Sequence, residues 1–390
     1  MSNKEQAAAL PSAAGGAGSA KYSSAVDALA QLRDEATNKG RQVPIVCPGH
    51  SRPIAEVAYS PVTQDGSFLI SACHDKQPML RGGKTGDWIG TFYGHKGAVW
   101  SAKLDSRAIL AATGAGDFTA KIWNAVNGDE IQTMLHRHVV KTVDFSPDDR
   151  RLATGGNEGI LRIFGLDSKG EAAPEMLKHA PVDGNTKAPF INKAVWLGPN
   201  SICTGANDGL VRLWDTRSGS VVNELKLGAN IMDIEHSKQL DTLSIASGDS
   251  VSFFKASDFT LRKKIDMPVH FQQEGGVSLH PSGKIFIAGG GRHGGSTQGA
   301  LGVVKNAVRV GELDSDLIVY VIDYETGEIL ERNKGHHGPV RCLRYHPDGK
   351  TYATGSEDGT IRLWETFPGS PKTTEGAEEL PAPAGTEVQE

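Results

Sequence analysis

The stretch "GHKGAVWSAKLDSRAILAATGAGDFTAKIWN" occupies residues 94–124, and "GHHGPVRCLRYHPDGKTYATGSEDGTIRLWE" occupies residues 335–365. Each reads Gly-His, a short alternating run, a turn, a second run ending in small residues, an Asp, and a third run ending in Trp. Asp117 to Trp123 and Asp358 to Trp364 share one spacing, and Asp208 to Trp214 in "DGLVRLWD" repeats it. Glu158 to Phe164 in "EGILRIF" is a weaker copy. Alternation with period two over such short runs predicts half-buried strands, and a unit repeated along the chain predicts an array of small sheets.

These residues resemble the WD-repeat family, whose unit is a four-stranded propeller blade of roughly 40–45 residues. Strand starts at Ile54, Val99, Val140, Ile191, Ile231, Gly276 and Val340 give seven units. The fifth unit lacks the Gly-His start and the Trp, and only period and alternation identify it. After Trp364 the chain offers no fourth strand, while Val43 to Cys47 is a strand without a partner in its own unit. The expected fold is therefore all-β, a seven-bladed WD-repeat propeller closed by that N-terminal strand completing the last blade. Closure removes the unpaired edges that an open sheet would expose.

A second stretch points elsewhere at first. "KIFIAGGGRHGGSTQGALGVVKN" (284–306) contains Gly289, Gly291 and Gly294 in the spacing G-x-G-x-x-G, the fingerprint of a dinucleotide-binding turn. That turn needs a following helix and a parallel strand. Here Gly299 and Gly302 weaken any helix, and the next strand-like run is "LIVYVIDY". Phe254 and Ile322 are 68 residues apart, against 40 from Trp214 to Phe254 and 42 from Ile322 to Trp364. The glycines thus belong to an insertion at 291–313 in blade six, and no cofactor site is expected. Arg292, His293, Lys305 and Arg309 suit a contact arm there; a spacer or translated intron stays open.

Composition agrees with this organisation. Glycine is abundant at 47 of 390 residues, and no apolar run approaches the ~20 residues that cross a bilayer. Residues 1–42 form a low-complexity extension without the apolar core of a secretory signal, and 43–366 form the propeller. Ser24 to Gly40 can form a short helix with Val26, Leu29 and Leu32 on one side. Residues 367–390 form an acidic tail with one Lys and five Glu. Cys47, Cys73, Cys203 and Cys342 lack C-x-x-C spacing and are expected as free core thiols of a reducing compartment. The expected location is the cytoplasm, with the nucleus as a second compartment, and no membrane contact.

Four stretches go beyond the generic repeat: "FLISACHDKQPMLRGGKTGDWIGTFYGHKGAVW" (68–100), "DFTAKIWNAVNGDE" (117–130), "HVVKTVDFSPD" (138–148) and "GSEDGTIRLWE" (355–365). Together they resemble the serine/threonine kinase receptor-associated protein (unrip) family of WD-repeat proteins. Leu80 and Arg81 stand where Trp-Asp is expected, an irregularity similar to that family's own. The resemblance implies a non-catalytic scaffold of the survival-of-motor-neuron (Gemin-type) complex, which loads Sm proteins on spliceosomal small nuclear RNAs. It also implies partnership with an RNA-binding cold-shock-domain protein and a link to receptor serine/threonine kinase signalling. The WD-repeat subunit of translation initiation factor three is the alternative.

The resemblance further implies structural networks in which His meets Asp while Ser/Thr and the Trp N–H complete the set. These are His95, Thr113, Asp117 and Trp123; His336, Thr354, Asp358 and Trp364; and His179, Thr204, Asp208 and Trp214, the last if a longer loop lets His179 reach. Recurrence in several blades argues for structure, since an active site is needed once, and no serine or cysteine nucleophile recurs in reach to make a catalytic triad. His136, His138, His336 and His337 lack zinc spacing, so neither catalytic nor metal residues are expected. The residue after each strand start, namely Trp100, Lys141, Asn192, Met232 and Arg341, should crowd one mouth of the channel. An aromatic, a thioether and cations there suit protein recognition, against the alternative of an ordinary solvated rim. Lys96, Arg137, Lys141, Lys193 and Arg341 scatter positive charge without an aromatic platform, so RNA contact is expected only through a partner.

Overall fold

The computed structural model describes residues 42–166, 173–179, 188–271, 275–290 and 317–366. The helix expected within 24–40, the insertion at 291–313 and the acidic tail lie outside these residues. Every described element is a strand or turn, apart from one residue of 3-10 conformation.

A short first strand, β1, covers Ile45–Cys47. Blade one follows with β2 (Ile54–Tyr59), β3 (Phe68–Cys73), β4 (Met79–Gly82) and β5 (Trp88–Thr91). Blade two has β6 (Val99–Leu104), β7 (Leu110–Ala115), β8 (Thr119–Asn124) and β9 (Glu130–Leu135). Blade three has β10 (Val140–Phe145), β11 (Arg151–Gly156), β12 (Ile160–Gly165) and β13 (Glu175–Lys178). Blade four has β14 (Ile191–Gly198), β15 (Ser201–Ala206), β16 (Leu210–Asp215) and β17 (Ser220–Lys226). Blade five has β18 (Ile231–Ser237), β19 (Thr242–Lys255) and β20 (Leu261–Phe271). Blade six has β21 (Gly275–Leu279), β22 (Ile285–Gly290), β23 (Ile318–Asp323) and β24 (Ile329–Lys334). Blade seven has β25 (Val340–Tyr345), β26 (Thr351–Ser356) and β27 (Ile361–Glu365).

The innermost strands β2, β6, β10, β14, β18, β21 and β25 touch in succession, and β25 returns to β2, which closes the ring. β1 pairs antiparallel with β27 through Ile45↔Leu363 and Cys47↔Ile361, so the N-terminal strand completes blade seven as expected. Blade five reaches the same plan differently. β19 doubles back at Gly248, its first half pairing with β18 and its second with β20. The Ala256 N–H bonds to the Asp241 carbonyl across this fold, so one element supplies the second and third strands.

Blades pack through the first residue of six of the seven inner strands, β21 beginning instead at Gly275. Ile54, Val99, Val140, Ile191, Ile231 and Val340 are buried and press on the second strand of the preceding blade. That strand must be small where they land. A Cβ on Gly205 would lie 2.4 Å from Ile231 Cγ2, and one on Gly289 would lie 3.0 Å from Val340 Cγ1. Gly289, the start of the apparent dinucleotide fingerprint, is therefore a packing glycine. β22 also runs antiparallel to both neighbours, where a dinucleotide fold needs a parallel pair.

Overpacking this contact has a predictable cost. Gly205→Val should lose about 1–3 kcal/mol and melt at lower temperature. Gly90→Ala, where nothing lies within 4 Å of the added carbon, should stay within about 0.5 kcal/mol of the parent. Equal melting of the two variants would contradict the packing argument.

Candidate functional site: the channel mouth and its supports

In six of the seven innermost strands the register slips by one residue at the second position. The slips fall between Ile54/Glu56, Val99/Ser101, Val140/Thr142, Ile191/Lys193, Ile231/Asp233 and Val340/Cys342. Each leaves one residue unpaired in a β-bulge: Ala55, Trp100, Lys141, Asn192, Met232 and Arg341. A bulge bends the strand and re-aims its side chain. Together with Gly275 of blade six, these residues line one pocket of about 90 Å³ at the channel mouth. Trp100, Lys141, Met232 and Arg341 are thus brought together as the spacing predicted, each half-buried.

Four of these residues are tied side to side. The Lys141 ammonium lies 5.6 Å from the Trp100 ring centroid and donates to Asn192 Oδ1 at 3.2 Å. Asn192 donates to Asn230 Oδ1 at 2.7 Å, and Asn230 donates to Met232 Sδ at 3.1 Å. His74 packs on Trp100 with ring centroids 4.5 Å apart. Burial first, and the Arg341 charge second, hold the His74 pKa near 4, so this ring is neutral at physiological pH.

Below the mouth the channel is crossed by charge. Glu56, 2% exposed, accepts from Lys193 at 2.6 Å across the channel and lies 3.2 Å from the Lys103 ammonium. Burial raises the Glu56 pKa, but the two lysines and the bonds from Lys193 and Ser101 outweigh it and keep the carboxyl ionised. Arg344 grips Asp233 with two bonds of 2.7 Å, and Lys193 approaches the same carboxylate at 3.8 Å. The opposite mouth holds a recess of about 230 Å³ lined in part by Glu235, His236, Tyr345 and His346. There His236 is bonded to the Trp196 carbonyl and His346 to Asp348 and Ser67.

The His–Asp networks brace the turns that lead into the bulges. His95 bonds Asp117 at 2.9 Å and Thr113 at 2.7 Å, while the Trp123 N–H reaches Thr113 at 2.8 Å. Thr113 therefore donates to His95 Nε2, and the Nδ1–H donates to Asp117. His336, Thr354, Asp358 and Trp364 repeat this at 3.1, 2.7 and 2.9 Å. The next backbone N–H, from Lys96 or His337, also donates to the Asp.

The third network differs from expectation. His179 reaches Thr204 at 3.0 Å, and Trp214 donates to Thr204 at 2.8 Å, but Asp208 does not meet the ring. Arg212 stands between, donating to His179 Nδ1 at 2.8 Å and to Asp208 at 3.0 Å. With Nδ1 accepting, the tautomer is reversed, and Nε2–H donates to Thr204. The turn before β14 closes through the Phe190 N–H on Asn207, while Asp208 is held by the Arg212 guanidinium and accepts the Leu210 N–H at 3.0 Å.

Sequence reasoning missed a set in blade one, where His50 bonds Asp75 at 2.7 Å and Ser71 at 2.8 Å. Gly-His at 49–50 and the six-residue step from Asp75 to Arg81 were the available signals. Arg81 fills the Trp position, buried and bonded to the Gly86 and Pro48 carbonyls. His50, Cys73 and Asp75 cluster closely enough to hold a metal ion, yet both His50 nitrogens are engaged in this set. Burial pushes the Cys73 thiol up to about 12, which disfavours a thiolate ligand.

Burial first and the Arg212 charge second depress the His179 pKa from 6.5 to about 3. Between those values the unfolded chain carries this proton and the folded chain does not. Stability is therefore lost as pH falls through that window, by about 1.4 kcal/mol per pH unit for this group. His179→Gln should flatten the pH dependence of unfolding between about pH 6 and 4 by roughly that slope. Parallel curves in denaturant melts would contradict the assignment.

Comparison with known proteins agrees with the architecture. The WD domain, G-beta repeat pattern matches residues 86–124, 128–164 and 327–365. A serine-threonine kinase receptor-associated protein of Gallus gallus is 44% identical over 329 residues, 84% of each chain. A Dictyostelium discoideum protein of that name is 42% identical over 324 residues, covering 83% of this chain and 98% of its own. Subunit I of eukaryotic translation initiation factor 3 from Drosophila grimshawi is 29% identical over 334 residues, covering 82% and 95%. With its ring closed by β1 and this likeness running across most of the blades, the chain belongs to the serine-threonine kinase receptor-associated protein family of WD-repeat propellers.

Proposed function

We propose that this protein is a non-catalytic adaptor that holds protein partners at the channel mouth, within a survival-of-motor-neuron (Gemin-type) assembly that loads Sm proteins on small nuclear RNAs. The observation that carries the binding role is the set of bulges that turns Trp100, Lys141, Asn192, Met232 and Arg341 into one funnel. Trp and Arg are the residue types most enriched as binding hot spots. The assembly itself is inferred from the resemblance carried by residues 68–100, 117–130, 138–148 and 355–365. In this reading RNA is reached through a partner such as a cold-shock-domain protein, and the protein works in the cytoplasm and nucleus. A second reading, association with a serine-threonine kinase receptor, is supported by the names of the relatives at 42–44% identity. The initiation-factor alternative is supported by weaker likeness, at 29–30% identity.

Affinity purification of the full chain with mass spectrometry should recover Sm or survival-of-motor-neuron components. The pair Trp100→Ala and Arg341→Ala should lose them without lowering the melting temperature. Undiminished recovery by that variant would sink the binding role, and recovery of initiation-factor subunits alone would sink the assembly assignment.

A further inference from the structure

Among the described residues, the mouth holds a cation that meets no carboxylate and an indole N–H that meets no acceptor. Deeper in the channel the charges are matched. Glu56, Asp233 and Glu235 face Lys103, Lys193 and Arg344 at 2.6–3.8 Å. Lys141 stands apart from them. Its ammonium meets an amide oxygen and an indole face, and among the described residues no carboxylate lies within 4.0 Å of it. Burial lowers its pKa.

The indole N–H groups repeat the point. Trp123, Trp214 and Trp364 donate to threonines, Trp196 donates to the Asp144 carbonyl, and even exposed Trp88 donates to Thr91. Trp100, beside Lys141, is the one tryptophan whose N–H makes no hydrogen bond among the described residues. An indole donor and a cation side by side, with the Arg341 guanidinium on the same rim, form a seat for an anion.

We propose that this seat takes one carboxylate side chain, an Asp or Glu of a protein partner, between Lys141 and Arg341 beside Trp100. This rests on the reading of the mouth as the partner-binding surface. Size and charge select the occupant. The pocket of about 90 Å³ is far below the ~300–1,000 Å³ of sites that enclose a small molecule, but it admits a side-chain head group. On its floor Lys193 and Arg344 are already matched by Glu56 and Asp233, so neither is left to balance the second charge of a phosphate dianion, which favours a carboxylate. Asn192 fixes the Lys141 ammonium, so part of the ordering cost of binding is met before the partner arrives.

The test follows the six indole ¹H–¹⁵N signals of the full chain, with Trp100 assigned through Trp100→Phe. The probes are N-acetyl-glutamate N-methylamide, its glutamine counterpart, N-acetyl-leucine for a chain-terminal carboxylate, and inorganic phosphate. The glutamate probe should shift the Trp100 signal saturably, with a dissociation constant roughly in the mM range. The glutamine probe should leave it in place. Lys141→Met should weaken the effect at least about 10-fold while the melting temperature and the other indole signals stay unchanged. No shift, equal shifts by glutamate and glutamine, or tighter binding of phosphate or N-acetyl-leucine would overturn the proposal. If the Trp100/Arg341 variant loses its partners while the glutamate titration is flat, the adaptor reading survives and this seat falls.

Discussion

The ring depends on how each blade covers the open edge of the next. The innermost strand of a blade has a sheet partner on one side only, so its outward N–H groups need acceptors. The preceding blade supplies them from side chains. Glu56 accepts from the Ala102 N–H at 3.2 Å, Ser101 from Val143 at 3.1 Å, and Thr142 from Ala194 at 3.0 Å. Asp144 accepts from Trp196, Asp233 from Val277, Glu235 from Leu279 and Ser278 from Tyr345, all between 2.8 and 3.1 Å. Two junctions are made otherwise. Between blades four and five, Asn192 donates to the Ile231 carbonyl. Between blades seven and one, Cys342 stands at the acceptor position, and Ile54 packs with it in one apolar cluster.

This device explains why polar and charged residues are buried along the channel. Asp, Glu, Ser and Thr are needed there as acceptors, and the carboxylates among them need counter-charges, which Lys103, Lys193 and Arg344 provide. The network leaves the mouth rigid from below. The His networks hold it from above, because His50, His95, His136 and His336 each stand five residues before a bulge residue. His136 keeps its bond to Thr154 at 2.8 Å although Glu158, gripped by Arg162, replaces the usual Asp. Function on this scaffold is therefore expected at positions that neither network uses, and Trp100 and Lys141 are such positions.

Much of this was legible in the sequence because the blade repeats. Periodicity located the strand starts to within one residue, and the unpartnered run at 43–47 announced the closing strand. The residue after each strand start was placed at the mouth by repetition alone. The rest depends on relations that no single repeat displays. A bulge is a statement about register, and the edge acceptors act between blades 40 or more residues apart. The Arg212 insertion was also hidden. Arg362 occupies the equivalent position in blade seven, where His336 still meets Asp358 directly, so residue type does not decide the geometry. Chain length and strand spacing were enough to set aside the fingerprint that begins at Gly289, but not to show that Gly289 is required by Val340 of the next blade.

Binding at the mouth differs from binding on the outer wall, where Trp88 is 60% exposed on β5, in which side chain lies within reach of a partner. Placing a photoreactive phenylalanine analogue at position 100 or at position 88 of the full chain, and irradiating it in extract, tests this most directly. Partners held at the mouth give discrete covalent adducts from position 100 and none from position 88, and adducts from position 88 alone would rule that binding mode out.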